Sequence, residues 1–292
     1  MNAPARSESM FRSLNPATGE LFGRFELHTE TQVEAGLARS WSAWGKLRAM
    51  SVADRASLLR ALADRLEAHV EDYARLMTLE MGKPINEARG EIRKCPATCR
   101  TPADLGPGWL EPLQVPSPAR ASRVRYEGIG PIFAVMPWNF PFWQVIRFFA
   151  PAFLAGNTTV VKHAENVPAC ADAIEAVFRE AGMPDGTVVN LRVDHPTAAK
   201  IIADDRIRSV TVTGSVRAGR TIAATAGSVG KKAVLELGGS DPFIVFADAD
   251  FDAAVRTAIA ARLNNSGQSC VCAKRFLVEK SIAPRFTEAF VE

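Results

Sequence analysis

The sequence predicts an α/β fold built on a doubly wound parallel sheet, and three observations lead to it. Short β-rich runs recur at 132–136, 159–161, 188–191, 209–213 and 233–237. Helical stretches separate them, two of which end at Gly156-Asn157 and at Gly182-Met183-Pro184. Polar or glycine-rich turns follow the runs, where a bland core would not need them. Alternation of this kind marks βαβ units and a sheet covered on both faces. In such sheets ligands bind beyond the carboxyl ends of the strands.

Composition narrows the class. The chain has 292 residues, 47% hydrophobic and 23% charged, with a formal charge of +3, which excludes disordered, collagen-like and coiled-coil chains. Its size suits two domains, or one large domain with an insertion. Basic and acidic residues number 35 and 32, and the basic ones are scattered, so no nucleic-acid or membrane-surface partner is indicated. Residues 1–15 are polar and carry no secretory pattern. The most apolar stretch, 132–154, is broken by Pro137, Asn139, Pro141, Arg147 and Pro151, a poor membrane span. Five cysteines (Cys95, Cys99, Cys170, Cys270, Cys272) in a chain that reads as cytoplasmic argue for nucleophilic or redox chemistry over a disulfide framework.

Taken in order, Val33, Leu37, Trp41 and Trp44 fall at helical spacing. A second helix starts at Ser51, with Asp54 in the capping-box position, and carries Leu58, Leu62, Leu66, Val70 and Tyr73 along one face until Gly82-Lys83-Pro84. A third, from about Ile85 towards Cys99, should kink or break at Pro96. Residues 109–128, with Pro112, Pro116 and Pro118, read as a linker into an extended segment. The alternating strands and helices come next.

The turns carry the chemistry. Pro137-Trp138-Asn139-Phe140-Pro141 follows the first run, Lys162-His163-Ala164-Glu165 the second, Gly214-Ser215 with Gly219 the fourth, and Glu236-Leu237-Gly238-Gly239 the fifth. Asn265-Ser266-Gly267-Gln268-Ser269-Cys270 comes later, ahead of Arg275. Together, in this order, they resemble the NAD(P)-dependent aldehyde dehydrogenase family, nearest its succinate-semialdehyde dehydrogenase branch. The similarity runs from about residue 11 to the end. It implies a Rossmann-like NAD-binding domain, an incomplete second α/β catalytic domain, a small aldehyde as substrate, and a homo-oligomer in the full-length form.

The resemblance assigns roles. Cys270 matches the nucleophile, which needs a neighbour or a helix dipole to form its thiolate at neutral pH. Taken alone it would read as a buried, inert cysteine. Asn139 matches an oxyanion donor, although by itself it is an ordinary turn asparagine. Glu236 matches the general base; its flanking Val234, Leu235 and Leu237 predict desolvation and a raised pKa. Gly214, Ser215 and Gly219 open a helix whose N–H groups suit a pyrophosphate, a weak signal without the other motifs. Lys162 and Glu165 match positions that hold the adenosine ribose, and a carboxylate there favours NAD over NADP, with NADP possible. Trp138 and Leu237 match further cofactor contacts. Arg147 matches an arginine that holds a distal substrate carboxylate, a task its planar fork suits. A second arginine of that branch is here Asn264. No metal site is indicated. Cys272 is read as packing or, if residues 270–272 are extended, as a partner for a reversible disulfide with Cys270.

The resulting organisation is an NAD-binding domain over 1–108 and 129–238, a linker or oligomerisation segment over 109–128, and a partial catalytic domain over 239–292. The family's further C-terminal segment is absent, so the chain reads as truncated and is expected to turn over little by itself. The competing reading is a silent dinucleotide-binding fragment. A CoA-acylating branch typically lacks the base at Glu236, which argues for water as the acyl acceptor.

Overall fold

Local sequence explains most starts and stops in the computed structural model, which describes residues 10–292; the first nine positions of the polar 1–15 stretch lie outside it. Strands β1 (Met10–Leu14) and β2 (Leu21–Glu26) form an antiparallel pair that the sequence reading did not single out. Helix α1 (Glu30–Leu47) begins at a reciprocal cap between Thr29 and Gln32. Ser51 Oγ accepts from the Asp54 N–H at 3.1 Å to start the next helix as expected. That helix is not one rod, however. It divides at His69 into α2 (Val52–Ala68) and α3 (Val70–Met81), and Gly82 ends α3 with φ of 79°.

The break expected at Pro96 does not occur. Helix α4 (Ile85–Trp109) runs through Pro96, Pro102 and Pro107. Each proline removes one backbone bond, but they are spread along the rod, so successive turns keep other bonds. Pro96 and Pro102 are buried together with Ile92, Cys95, Cys99 and Ala103, and this packing outweighs the local propensity. The linker then forms a short antiparallel hairpin of β3 (Leu113–Gln114) and β4 (Arg123–Val124).

The expected parallel sheet follows. Strand β5 (Ile132–Val135), helix α5 (Pro141–Leu154), strand β6 (Thr159–Lys162), helix α6 (Pro168–Glu180), strand β7 (Val188–Asn190), helix α7 (His195–Ala203), strand β8 (Ser209–Thr213), helix α8 (Val216–Ser228) and strand β9 (Lys232–Glu236) alternate along the chain. All pairings are parallel, in the order β7-β6-β5-β8-β9, so the strand order reverses beside β5. Alternation along the strands sorts the two faces. Phe133, Val160, Val189 and Val210 face a core with Val33, Leu37, Ile201 and Ala226 from α1, α7 and α8. Ala134, Val161 and Val188 face the larger core with Leu62, Ile92, Phe149 and Phe178 from the other helices.

The chain divides into two compact units, Met1–Glu236 and Leu237–Glu292. In the second, β10 (Asp241–Val245) pairs in parallel with β11 (Ala273–Val278), and helix α9 (Phe251–Leu263) lies between them in sequence. Asp250 caps α9 by accepting from the Ala253 N–H at 3.0 Å. Helix α10 (Ala283–Val291) adds Phe286 to a small core with Val245, Val255 and Ala258. Among the described residues no helix is long and apolar enough to cross a membrane, and no His, Cys, Asp or Glu cluster is fit to hold a metal.

Candidate active site

Within the first unit, the strand ends of the parallel sheet gather most of the singled-out residues. Trp138 is exposed and Asn139 half-buried in the turn between β5 and α5. Lys162 ends β6 in a buried position, and its Nζ lies 3.8 Å from Glu165 Oε1. Burial pulls the Lys162 pKa down, against the opposing pull of Glu165 and Asp194. His195 Nε2 lies 4.0 Å from the same Glu165 oxygen. Gly214 and Ser215 follow β8, and Ser215 Oγ caps α8 by accepting from the Ala218 N–H at 3.2 Å.

A cavity of about 370 Å³ opens between α7, α8 and the carboxyl ends of β5 and β6. Ala198, Ile202, Ala218 and Ile222 supply apolar walls, and Lys162, His195, Ser215 and Arg217 supply polar groups. It lies beside the point where the strand order reverses, the usual place for a nucleotide in an open α/β sheet. An apolar slot for a base, a buried lysine for hydroxyls and a helix N-terminus for phosphate fit a dinucleotide. His195 and Arg217 were not anticipated, because nothing in their local sequence marks them; only the pairing of α7 with α8 does.

Glu236 ends β9, and its carbonyl accepts from the Gly214 N–H at 3.0 Å. The turn that opens the cofactor-side helix and the candidate base are therefore tied together. The desolvation expected from its apolar neighbours is not met: β9 is an edge strand, Val234 and Leu235 are themselves exposed, and the Glu236 side chain is 54% exposed. Its Oε2 faces Arg147 Nη2 at 3.8 Å. Arg147 and Lys94 both lie against the Trp143 ring, at 5.4 and 3.3 Å from its centroid. Arg147 Nε and Trp143 Nε1 are buried donors without an acceptor among the described residues.

The second unit holds the cysteines of interest. Three consecutive left-handed residues, Asn265, Ser266 and Gly267, precede Cys270, and the first two are unusual there for lacking a glycine's freedom. Arg262 Nη1 steadies this turn by donating to the Gly267 carbonyl at 3.1 Å, and Lys274 Nζ donates to the carbonyls of Ser269 and Cys270 at 3.0 and 2.8 Å. A side chain at Gly239 would lie 3.3 Å from the Cys270 carbonyl, a reason for glycine beside the candidate nucleophile. Leu237 is half-buried at the start of this unit.

The condition for a Cys270–Cys272 disulfide is not met. Residues 269–272 form a turn closed by the Cys272 N–H donating to the Ser269 carbonyl at 3.4 Å, so the segment is not extended. Cys272 is buried, with Arg262 Nη1 3.5 Å from its sulfur. Cys95, Cys99 and Cys170 are core residues, and burial pushes their thiols up, to about 12 for Cys99.

The first unit is an α/β domain whose parallel strand ends line a cavity fit for a dinucleotide. The chain belongs to the aldehyde dehydrogenase family, whose model matches residues 3–292. It is 47% identical to a probable NADP(+) succinate-semialdehyde dehydrogenase of Synechocystis sp., over 95% of this chain and 62% of the relative. It is 46% identical to an NAD(P)+ succinate semialdehyde dehydrogenase of Escherichia coli, over 96% and 60%. The crystal structure of succinic semialdehyde dehydrogenase from Streptococcus pyogenes in complex with NADP+ matches with a TM-score of 0.93 at 35% identity, covering 96% of this chain and 62% of that one. The chain thus spans between 60% and 62% of the length of these curated relatives.

Proposed function

We propose that this chain carries the cofactor site and the reacting residues of an NAD(P)-dependent aldehyde dehydrogenase that oxidises a small aldehyde, succinate semialdehyde in particular, to the carboxylate. The observation that carries this reading is the tie between Gly214 and Glu236, which sets the base at the strand end next to the helix that opens the dinucleotide cavity. Residues 1–108 and 129–238 serve as the cofactor-binding domain and 239–292 as part of the catalytic domain. The Cys270 thiolate adds to the aldehyde carbon, and Asn139 with the Cys270 N–H stabilises the oxyanion so formed. NAD(P), when held in the cavity lined by Lys162 and Ser215, would supply the hydride acceptor. Glu236 takes a proton from the water that then attacks the thioester at Cys270.

Lys162, Ser215, Gly214 and Gly219 hold the dinucleotide, with Trp138 and Leu237 as further contacts. NAD is preferred to NADP, because Glu165 offers a carboxylate to a ribose hydroxyl and repels a 2′-phosphate. Arg147 and Trp143, with buried N–H groups that have no acceptor among the described residues, suit a distal substrate carboxylate, which would then compete with Glu236 for the guanidinium. A cytoplasmic location and a homo-oligomeric full-length form belong to the same reading. Exposed Leu113, Val124 and Tyr126 on and beside the β3–β4 hairpin support the assembly.

The test is NAD(P) reduction with succinate semialdehyde set against uncharged aldehydes. In the full-length form, Cys270→Ala is expected to abolish turnover and leave NADH binding nearly unchanged. Arg147→Ala is expected to raise KM for the carboxylate-bearing aldehyde more than for neutral ones. Wild-type turnover in Cys270→Ala would refute the nucleophile. The openness of Glu236 favours a second reading, a chain that binds dinucleotide without turnover. NADH binding with no aldehyde oxidation by the full-length protein would establish it.

A further inference from the structure

The turn that carries Asn139 is gripped residue by residue from behind. Helix α5 has Phe140 at its N-cap with no side-chain cap, and Pro141 at its first position has no N–H to offer. The next two donors, the N–H groups of Phe142 and Trp143, both go to Glu91 Oε1, at 2.9 and 3.0 Å. Glu91 comes from the buried face of α4, and its other oxygen accepts from Lys83 Nζ. Lys83 is buried in the turn between α3 and α4, and its Nζ sits 4.1 Å from the centroid of the Phe140 ring. From the other side, His163 Nε2 donates to the Pro141 carbonyl at 3.0 Å, while its Nδ1 accepts from the Ala164 N–H at 2.9 Å. Phe140, Pro141, Phe142 and Trp143 are thus each held by one of three buried polar side chains.

Stability alone is a poor reason for this arrangement. Desolvation raises the pKa of Glu91 and lowers that of Lys83, so both charged forms are disfavoured by their site. A buried ion pair is often matched or bettered by apolar residues of the same volume. An apolar pair, however, could not accept the two N–H groups at the start of α5, nor fix where the preceding turn leaves β5.

We propose that Lys83, Glu91 and His163 are positioning residues that set the side chain of Asn139 by clamping the first turn of α5. This rests on reading Asn139 as the oxyanion donor. Glu91 acts as a remote helix cap, its charge suited to the positive end of the α5 dipole. Lys83 holds the carboxylate in place, and His163 anchors the Pro141 carbonyl to the end of β6.

Two double variants of the full chain separate positioning from packing. Lys83→Met/Glu91→Gln removes the charges and keeps an acceptor oxygen, whereas Lys83→Met/Glu91→Leu removes both. The expected result is NADH affinity within about twofold of wild type for each, because the dinucleotide cavity is untouched. In the Leu pair, amide exchange at Phe142 and Trp143 rises at least about tenfold and the Asn139 side-chain amide resonances move; in the Gln pair both changes are smaller. In turnover the Leu pair loses kcat by up to about 10²-fold, the scale of one lost oxyanion donor, with KM little altered.

Identical exchange and identical Asn139 resonances in the two double variants would overturn the proposal. Should the Leu pair not fold, His163→Phe applies the same readouts at the Pro141 carbonyl, and an unmoved Asn139 resonance there overturns it equally. Failure of the functional reading has a different signature. If Asn139→Ala leaves turnover intact while the Leu pair still displaces the Asn139 resonances, the clamp stands and the oxyanion role falls. The spectroscopic readouts decide the matter whether or not the chain turns over.

Discussion

His163 holds one ring nitrogen as an acceptor and the other as a donor, an arrangement only the neutral imidazole can keep. Full burial, helped by the charge of Lys162, lowers its pKa from 6.5 to about 4. Between these values the unfolded chain binds a proton that the folded chain refuses, so stability is complete above about pH 6.5 and falls as the pH drops towards 4. The loss expected from this one residue across that window is about 3 kcal/mol. Urea unfolding at a series of pH values checks it: His163→Gln should flatten the slope between pH 4 and 6.5, and an unchanged slope would assign the acid sensitivity elsewhere. His163 lay within a motif that was legible in the sequence, but its role was not, since the Pro141 carbonyl it serves is brought to it only by the β5–β6 pairing. Glu236 shows the opposite failure. Its apolar neighbours implied burial, yet an edge strand leaves alternate residues facing solvent, and the order of strands in a sheet is not written in any one strand.

At the level of elements, the five parallel strands and the helix starts at Ser51 and Ser215 were legible because their signals are local: an apolar run, a glycine after a helix, or a hydroxyl three residues ahead of the N–H it accepts from. What was not legible acts across distance. Helices α5 and α6 both begin with proline and lack a local cap, and both take their caps from other helices, α5 from Glu91 and α6 from Glu80. Glu80 receives the N–H groups of Ala169 and Cys170 at 2.8 Å each, and burial raises its pKa. The only sequence clue was a carboxylate on a helix face otherwise made of Ala74, Met77 and their neighbours. Removing such a buried acceptor strands two donors, so Glu80→Ala is expected to cost about 2–3 kcal/mol. Ser51→Ala, an exposed local cap, should cost about 1 kcal/mol. Chemical denaturation of both variants compares them directly, and equal losses would mean that the α6 start finds another acceptor. The same long-range logic explains α4, where packing against α2 and α5 buries Pro96 and Pro102 inside one helix.

On the scale of the whole molecule, the two compact units differ in how they are held. The first has a five-stranded sheet covered on both faces, with Phe133, Phe149, Phe153, Leu62 and Ile92 fully buried. The second has one pair of strands and a small core of four buried apolar residues, Val245, Val255, Ala258 and Phe286. It leaves Ile244, Phe246, Leu263, Val271 and Val291 more than half exposed. A two-stranded sheet with so little buried apolar area is marginal, because the entropy of ordering the backbone is nearly as large as the hydrophobic gain. The left-handed stretch at Asn265 and Ser266 subtracts further, by about 1–2 kcal/mol per residue. Amides in β10 and β11 are therefore expected to exchange through openings of lower free energy than those in β5, β6 and β8. Native-state hydrogen exchange in low denaturant measures this residue by residue. If the amides of Phe243 and Phe276 reached the same limiting protection as those of Phe133 and Val160, the two units would unfold as one, and the small core around Phe286 would be stronger than its size implies.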